Sequence, residues 1–237
     1  MNISPDWIVY WQEGVLKLNA TLVYTWLVMG LLLAVSWMAT RNVSSDVQIS
    51  AWQNFLESMV SFMRKEIRNV VRQDERPYLP FIGALFLFIA VSNFLTVVPG
   101  YRPPTGSLST TSALAICVFF AVPAFSIRSR GVAGYLRHYI EPTAFMLPFN
   151  ILSEVSRSVA LAVRLFGNIM SGTLIIAVLL IITPLFVPII MRLFGLLIGQ
   201  IQAYIFTVLS TVYIASAVRT FTKQQEKKTE RSKHKEE

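Results

Sequence analysis

A single cysteine, Cys117, occurs in the sequence, and it lies inside an apolar run. That excludes an internal disulfide framework and a CxxC metal or redox site, and Cys117 is expected to be a small buried apolar side chain. The two histidines, His138 and His234, stand far apart and make no ligand cluster. There is no GxxxxGK[ST] loop to cradle a nucleotide, and no internal repeat. Nothing in the chain calls for a cofactor. The opening residues, MNISPDWIVYWQEG, have neither a basic segment nor a small-residue cleavage site, so they are not expected to act as a signal peptide. Charge is scarce as well. Asp, Glu, Lys and Arg make up 14% of the residues, against about 25% in an ordinary soluble domain.

Hydrocarbon takes the place of charge. Of 237 residues 54% are hydrophobic, and the mean hydropathy is +0.55. The composition is that of an all-α membrane protein built against lipid and partner helices. About five transmembrane helices are expected, with amphipathic surface helices besides. Residues 20–39 carry no charge over a length that spans a bilayer. Further apolar spans run over 78–98, 110–127, 147–182 and 189–221. The last exceeds one perpendicular crossing, which implies a strong tilt or a protruding end. Between the first two spans, Trp52, Phe55, Leu56, Met59, Phe62 and Met63 recur at three and four residues. That is an amphipathic helix lying on the membrane surface or packed on its neighbours. Residues 101–111 read as a turn-rich loop. Residues 131–146, broken by Gly and Pro, read as a surface or re-entrant segment rather than a span. Trp7, Tyr10, Trp11, Tyr24 and Trp26 suit an interfacial aromatic belt. The chain thus divides into a polytopic membrane domain, 1–222, and a charged tail, 223–237, expected to be disordered.

The net charge is +8, and its distribution shows why. Arg41, Arg64, Lys65, Arg68, Arg72 and Arg76 follow the first span. Arg128, Arg130 and Arg137 follow the third, and Lys223, Lys227, Lys228, Arg231, Lys233 and Lys235 follow the last. The intervening loops hold Arg102 or nothing. Alternate basic loops obey the positive-inside rule, with the N-terminus outside and the C-terminus in the cytoplasm. Nucleic acid is not needed to explain the charge.

One stretch breaks the apolar pattern in a useful way. Within 147–182 stand Glu154, Arg157, Arg164, Asn168 and Ser171. Arg157, Arg164 and Ser171 are seven apart and share a helix face, with Asn168 one turn beyond Arg164. Arginine does not shed its proton, and a cation at the bilayer centre costs about 2.5–3.5 kcal/mol on insertion scales. Ser156, Ala160, Gly167 and Gly172 flank the stripe and permit close approach of another helix. On the last span, Gly195, Gly199, Gln202, Ala203, Phe206, Ser210 and Tyr213 form a matching face. The short turn TPLFVP between the two spans makes an antiparallel hairpin of two long tilted helices. Arg164 and Gln202 then lie at similar depth, where Asn168 and Gln202 can orient the guanidinium without neutralising it. Glu154 is well spaced for a local ion pair with Arg157, but stands about 15 Å from Arg164. The countercharge for Arg164 is therefore expected on another chain. A cation facing a partner's intramembrane carboxylate favours its deprotonation and blocks ion leakage past that point. Snorkelling or capping of helix carbonyls remains the alternative for Arg164. A local salt bridge near the inner interface is the alternative for Glu154 and Arg157, and a plain interhelical hydrogen bond for Gln202. Arg192, near the outer end of its helix, can snorkel there.

RLFGN at 164–168, the preceding NILSEVSRSVALAV, and IQAYIFTVLSTVYI at 201–214 resemble subunit a of F-type ATP synthases. The resemblance is strong over about 145–218. It implies a non-catalytic stator subunit beside a rotating ring of c subunits, held by b-type peripheral stalk subunits in the bilayer. Two half-channels would lead ions to and from the ring carboxylate, with Arg164 as the electrostatic gate between them. Asn168 and Gln202 match polar positions of that path, and Glu154 an acidic position near the inner half-channel. Family members often carry an acid, or an acid or histidine, where this chain has Thr173 and Gly195, and SRSVALAV replaces the commoner KPLSLS form. These departures resemble the divergent N-type branch, thought to include sodium-coupled members; protons are the expected ion, with sodium as alternative. A bacterial or archaeal plasma membrane is the expected location. The competing functions are a stand-alone secondary transporter, which the five crossings and lack of repeated halves disfavour, and a purely structural assembly subunit.

Overall fold

The computed structural model describes residues 9–13, 16–41, 51–71, 74–98, 100–140, 146–182 and 187–236. Its helices are α1 (Ala20–Arg41), α2 (Ala51–Val71), α3 (Leu79–Phe94), α4 (Leu108–Ile140), α5 (Met146–Ile182) and α6 (Val187–Glu236). Five of them, all but α2, are long and apolar enough to cross a membrane. The expected all-α membrane architecture is therefore present. Trp7, residues 141–145, the turn residues 183–186 and the side chains of Trp52, Phe55 and Leu56 lie outside the described residues.

Three local expectations are corrected. First, a short antiparallel hairpin precedes α1: β1 (Val9–Glu13) pairs with β2 (Leu16–Asn19), Gln12 opposite Lys17 and Glu13 opposite Leu16. Val9, Tyr10 and Trp11 are good strand formers, and their aromatics were read only as interface anchors. Second, 131–140 is continuous helix, not a stretch broken by its glycines, though it lies beyond the candidate span that ends at Arg128. The α4 helix runs unbroken through Pro123, Gly131 and Gly134 to Ile140. Glycine costs about 1 kcal/mol in a helix, less than leaving backbone groups unpaired next to lipid. Third, Cys117 is exposed on α4 rather than buried within the chain. The α6 helix continues through the charged run to Glu236. Its run of Lys, Glu, Gln and Arg is rich in good helix formers and carries no proline.

The core lies where α3, α4, α5 and α6 meet. Leu85 and Ile89 of α3 pack with Ala115 and Val118 of α4, Leu161 and Leu165 of α5, and Ala203 and Phe206 of α6. A second cluster fastens the amphipathic helix to this bundle: Met63, Ile67 and Val71 of α2 pack on Tyr78, Ile82, Val122 and Ile214. The Tyr204 hydroxyl donates to Glu66 Oε2 at 3.1 Å, and Phe62 stands against the Tyr204 ring. The packed face of α2 is thus turned to neighbouring helices.

The α2–α3 junction has its own tie. Arg68 Nη2 and Nε donate to Glu75 Oε1 and Oε2 at 2.7 and 3.1 Å. Hydrogen bonding from Arg68, helped by Glu75's own backbone amide, holds the carboxyl below the ordinary glutamate range. A lowered folded-state pKa stabilises above the unfolded value of about 4.3 and is lost as pH falls through the lowered one. Protection of the amides at 74–79, judged from the exchange rate relative to the intrinsic rate at each pH, should therefore be steady near neutral pH and fall on acidification. Glu75→Gln should lower it at neutral pH and flatten the acid dependence. An unchanged profile in that variant would show the tie to be idle.

Between α3 and α4 the chain does not splay out as an ordinary loop. A 3-10 turn at Leu95–Val97 ends α3, Gly100 takes φ +87°, and a second 3-10 turn spans Pro104–Gly106. Residues 103–107 are buried. A Cβ on Gly106 would stand 3.3 Å from Ile169 of α5, so the glycine permits this segment to tuck against that helix. Tyr24 of α1 holds the near side: its ring meets Tyr101 edge-on at 5.0 Å, and its hydroxyl donates to the Gly100 carbonyl at 3.2 Å.

Candidate functional site

The α5 helix turns two different faces to its surroundings. Leu161, Ala162 and Leu165 are buried in the bundle, whereas Val159, Val163 and Arg164 are exposed. Only 6% of its apolar window is buried inside the chain, against 33% for α3, α4 and α6. Leu193, Leu197 and Ile201 extend the exposed apolar surface on α6. Arg164 therefore stands exposed on the stripe it shares with Arg157, Asn168 and Ser171, on a helix whose surface is otherwise largely apolar and uncovered, and among the described residues it has neither a hydrogen-bond nor an ion-pair partner. A Cβ on Gly167 or Gly172 would meet nothing within 4 Å, so these small residues admit no helix of this chain.

The two long helices pair antiparallel as their spacing requires. Asn168 and Gly199 line one cavity, Leu165 and Ala203 share the core, and the Arg157 guanidinium lies 5.6 Å over the Tyr213 ring. Arg164 and Gln202 thus occupy one layer. They are not joined, however. The Gln202 side chain is 5% exposed and its Nε2 has no partner. Neither Gln202 nor Asn168 hydrogen-bonds to the guanidinium, contrary to the expectation that they orient it. Arg164 is exposed at the edge of the packed side of α5, about 60° and 100° around the helix from the buried Leu161 and Leu165. Glu154 is half-buried, one turn before Ser158, whose hydroxyl donates to its carbonyl at 3.1 Å. Arg157 is directed across the hairpin to Tyr213, a cation–π contact.

A cavity of about 580 Å³ opens on the turn side of this layer. On α5 its lining runs from Asn168 through Ser171 and Thr173 to Leu180; on α6 it runs from Ile189 through Arg192 and Gly195 to Gly199. Asn93, Thr96 and Tyr101 close it from α3 and the segment that follows. Its inner end is thus marked by Asn168 and Gly199, one turn short of Arg164 and Gln202 respectively. Arg192 lines this cavity near its turn end. Burial pushes the Tyr101 phenol up, so it stays neutral.

The family profile described as ATP synthase A chain matches residues 22–215. This chain belongs to the ATP synthase subunit a family. It is similar to "ATP synthase subunit a 2" of Acaryochloris marina (strain MBIC 11017), 57% identical over 217 residues that cover 92% of this chain and 93% of that one. It is also 57% identical over 219 residues to "ATP synthase subunit a" of Albidiferax ferrireducens (strain ATCC BAA-621 / DSM 15236 / T118), covering 92% and 95%. A third relative, "ATP synthase subunit a 1" of Chlorobaculum parvum (strain DSM 263 / NCIMB 8327), is 57% identical over 220 residues, covering 93% and 97%.

As a subunit a family member the chain is a non-catalytic, membrane-sector part of an ATP synthase, in the class of ion-translocating stators. The stand-alone transporter reading falls away. Thr173 and Gly195 both line the cavity. Asn93, Thr96, Thr105 and Gln200 went unassigned in the sequence reading. Asn93 alone carried a signal there, as the one strongly polar residue in an apolar span.

Proposed function

We propose that this chain forms one wall of an ion path through the ATP synthase membrane sector, with Arg164 as its electrostatic gate. The observation that carries the reading is the cavity ending one turn short of Arg164, while Arg164 itself is exposed on an uncovered side of α5 with no partner among the described residues. A ring of c subunits covers that face and presents an intramembrane carboxylate to the guanidinium. A carboxylate within about 4–6 Å of Arg has its pKa lowered by about 1–3 units, which releases the bound ion. The next carboxylate must then reload from the other side before the ring moves on.

In this reading the cavity is the outer half-channel, and Asn168, Ser171 and Thr173 are its polar lining. Glu154 and Arg157 stand on the inner side of the gate, and Gln202 at its level. The unpartnered Gln202 amide is an available donor for the path, since a buried donor without a partner costs about 1–3 kcal/mol. The membrane is a bacterial or archaeal plasma membrane, with the N-terminus outside and the C-terminus in the cytoplasm. Peripheral-stalk b-type subunits and lipid cover the remaining apolar surface, including Trp26, Leu33 and Trp37 of α1. The ion is the proton. Sodium is the second reading, favoured by a lining of neutral amide and hydroxyl oxygens with no carboxylate among them.

Ser171→Cys, in a Cys117→Ser background, tests the path. In vesicles carrying the whole complex, a membrane-impermeant maleimide should label it from the outer face and leave it unlabelled from the cytoplasmic face. Labelling from the cytoplasmic face alone would invert the assignment of the cavity and remove the reading.

A further inference from the structure

The crossing of α3 and α6 is stitched by two reciprocal hydrogen bonds. Asn93 Nδ2 on α3 donates to the Gly199 carbonyl on α6 at 2.8 Å, and Gln200 Nε2 on α6 donates to the Ala90 carbonyl on α3 at 3.0 Å. Asn93 is 2% exposed. Its amide has a defined orientation because the Thr105 hydroxyl donates to Oδ1 at 2.8 Å, which leaves the NH2 group facing Gly199. Gly199 is fitted to this neighbour: a Cβ there would stand 3.1 Å from the Asn93 Cβ. Packing alone would be served by any apolar residue of this size. The bond to Gly199 additionally fixes α6 along and around its own axis, because the carbonyl it holds is one point on the helix backbone. Gly199 is three residues before Gln202, and it lines the inner end of the cavity together with Asn93 and Asn168.

We propose that Asn93 is a positioning residue for ion transfer, which holds α6 through the Gly199 carbonyl and so sets Gln202 at the level of Arg164, with Thr105 locking the Asn93 amide in the donating orientation. The inference rests on the gate reading above. Asn93 itself need not touch the ion. Its loss would let α6 slip or turn relative to α3 and misplace the inner end of the cavity. Thr105 comes from the buried segment between α3 and α4, which gives that segment a role in the path it does not itself cross.

The test uses inverted vesicles carrying the whole complex, with ATP-driven ion uptake measured per ATP hydrolysed and copurification of the other subunits as the assembly check. Asn93→Leu keeps the volume and removes the donor; uptake should fall about tenfold or more with assembly retained. Thr105→Val keeps the shape and removes the orienting hydroxyl, so uptake should fall about threefold to tenfold, whereas Thr105→Ser should stay within about twofold of the parent. A packing role would treat the valine as well as the serine. If Asn93→Leu prevents assembly, the Thr105 pair decides alone. Near-parent coupling in both Asn93→Leu and Thr105→Val, or equal loss in Thr105→Val and Thr105→Ser, would overturn the proposal. Arg164→Ala run alongside separates the two readings. If it abolishes uptake while the Asn93 and Thr105 variants transport normally, the gate stands and the positioning role fails. If it too transports normally, both fail.

Discussion

Arg164→Ala is expected to abolish ATP-driven ion uptake in inverted vesicles while the subunits still copurify. The expectation follows from where the charge stands. The side chain is exposed, and Leu161, Ala162 and Leu165 of the same stretch of α5 supply the packing. Removing the guanidinium therefore leaves the fold of the hairpin in place. What is lost is its attraction for a carboxylate on the ring, about 4 kcal/mol at 4 Å with an effective dielectric of 20. An effect of that size corresponds to about a thousandfold in the ionisation equilibrium of the facing acid. Passive ion leak through the membrane sector should rise at the same time, since the barrier between the two access routes is gone. Arg164→Lys should recover only a small part of the coupling. A lysine keeps the charge but not the planar fork that holds a carboxylate in one geometry. Uptake near the parent rate in Arg164→Ala would make the arginine a packing charge, and would leave the structural-subunit reading in possession.

The second large effect is on stability. Phe206 has no exposed surface and stands in the cluster where α3, α4, α5 and α6 all contribute. It packs with Leu161 and Leu165, the buried side of the α5 turn from which Arg164 projects outward. Phe206→Ala should therefore destabilise the detergent-solubilised protein by about 3–5 kcal/mol, the usual cost of deleting a buried ring whose cavity does not collapse. The thermal midpoint of the purified complex should drop by several degrees, and coupling should weaken even below that midpoint, because α5 is no longer pressed against α6. Phe194→Ala on the same helix is the matched control. That ring is 54% exposed and should cost little. Equal shifts in the two variants would show that the Phe206 cluster is not the point where the bundle is held.

The long apolar helices and the amphipathic α2 were legible because hydropathy and period 3.6 are local properties of a chain. So were the turn-linked hairpin and the unusual cation in it. The antiparallel register that sets Arg164 and Gln202 in one layer could be counted from the turn, and the packing of Leu165 with Ala203 agrees with it. The errors came where local composition misled. Glycines at 131 and 134 and the charged run after 222 look like helix breakers or solvated coil. Yet α4 runs through Gly131 and Gly134 as it does through Pro123, and α6 through the charged run, because the backbone keeps its own hydrogen bonds. Val9, Tyr10 and Trp11 suit an interface and a strand equally well, and only pairing with the residues of β2 settles which.

By itself the sequence determined the class of molecule, the helices apolar enough to cross a membrane and the presence of a cation within one of them, for these depend on residue type and order along the chain. Only the tertiary structure decided which side of α5 Arg164 leaves from, where the cavity ends, and that Asn93 and Thr105 hold α6 in place. Asn93 and Gly199 are 106 residues apart. Nothing local to either announces the other, because a contact between distant segments exists only once the bundle has brought their helices together.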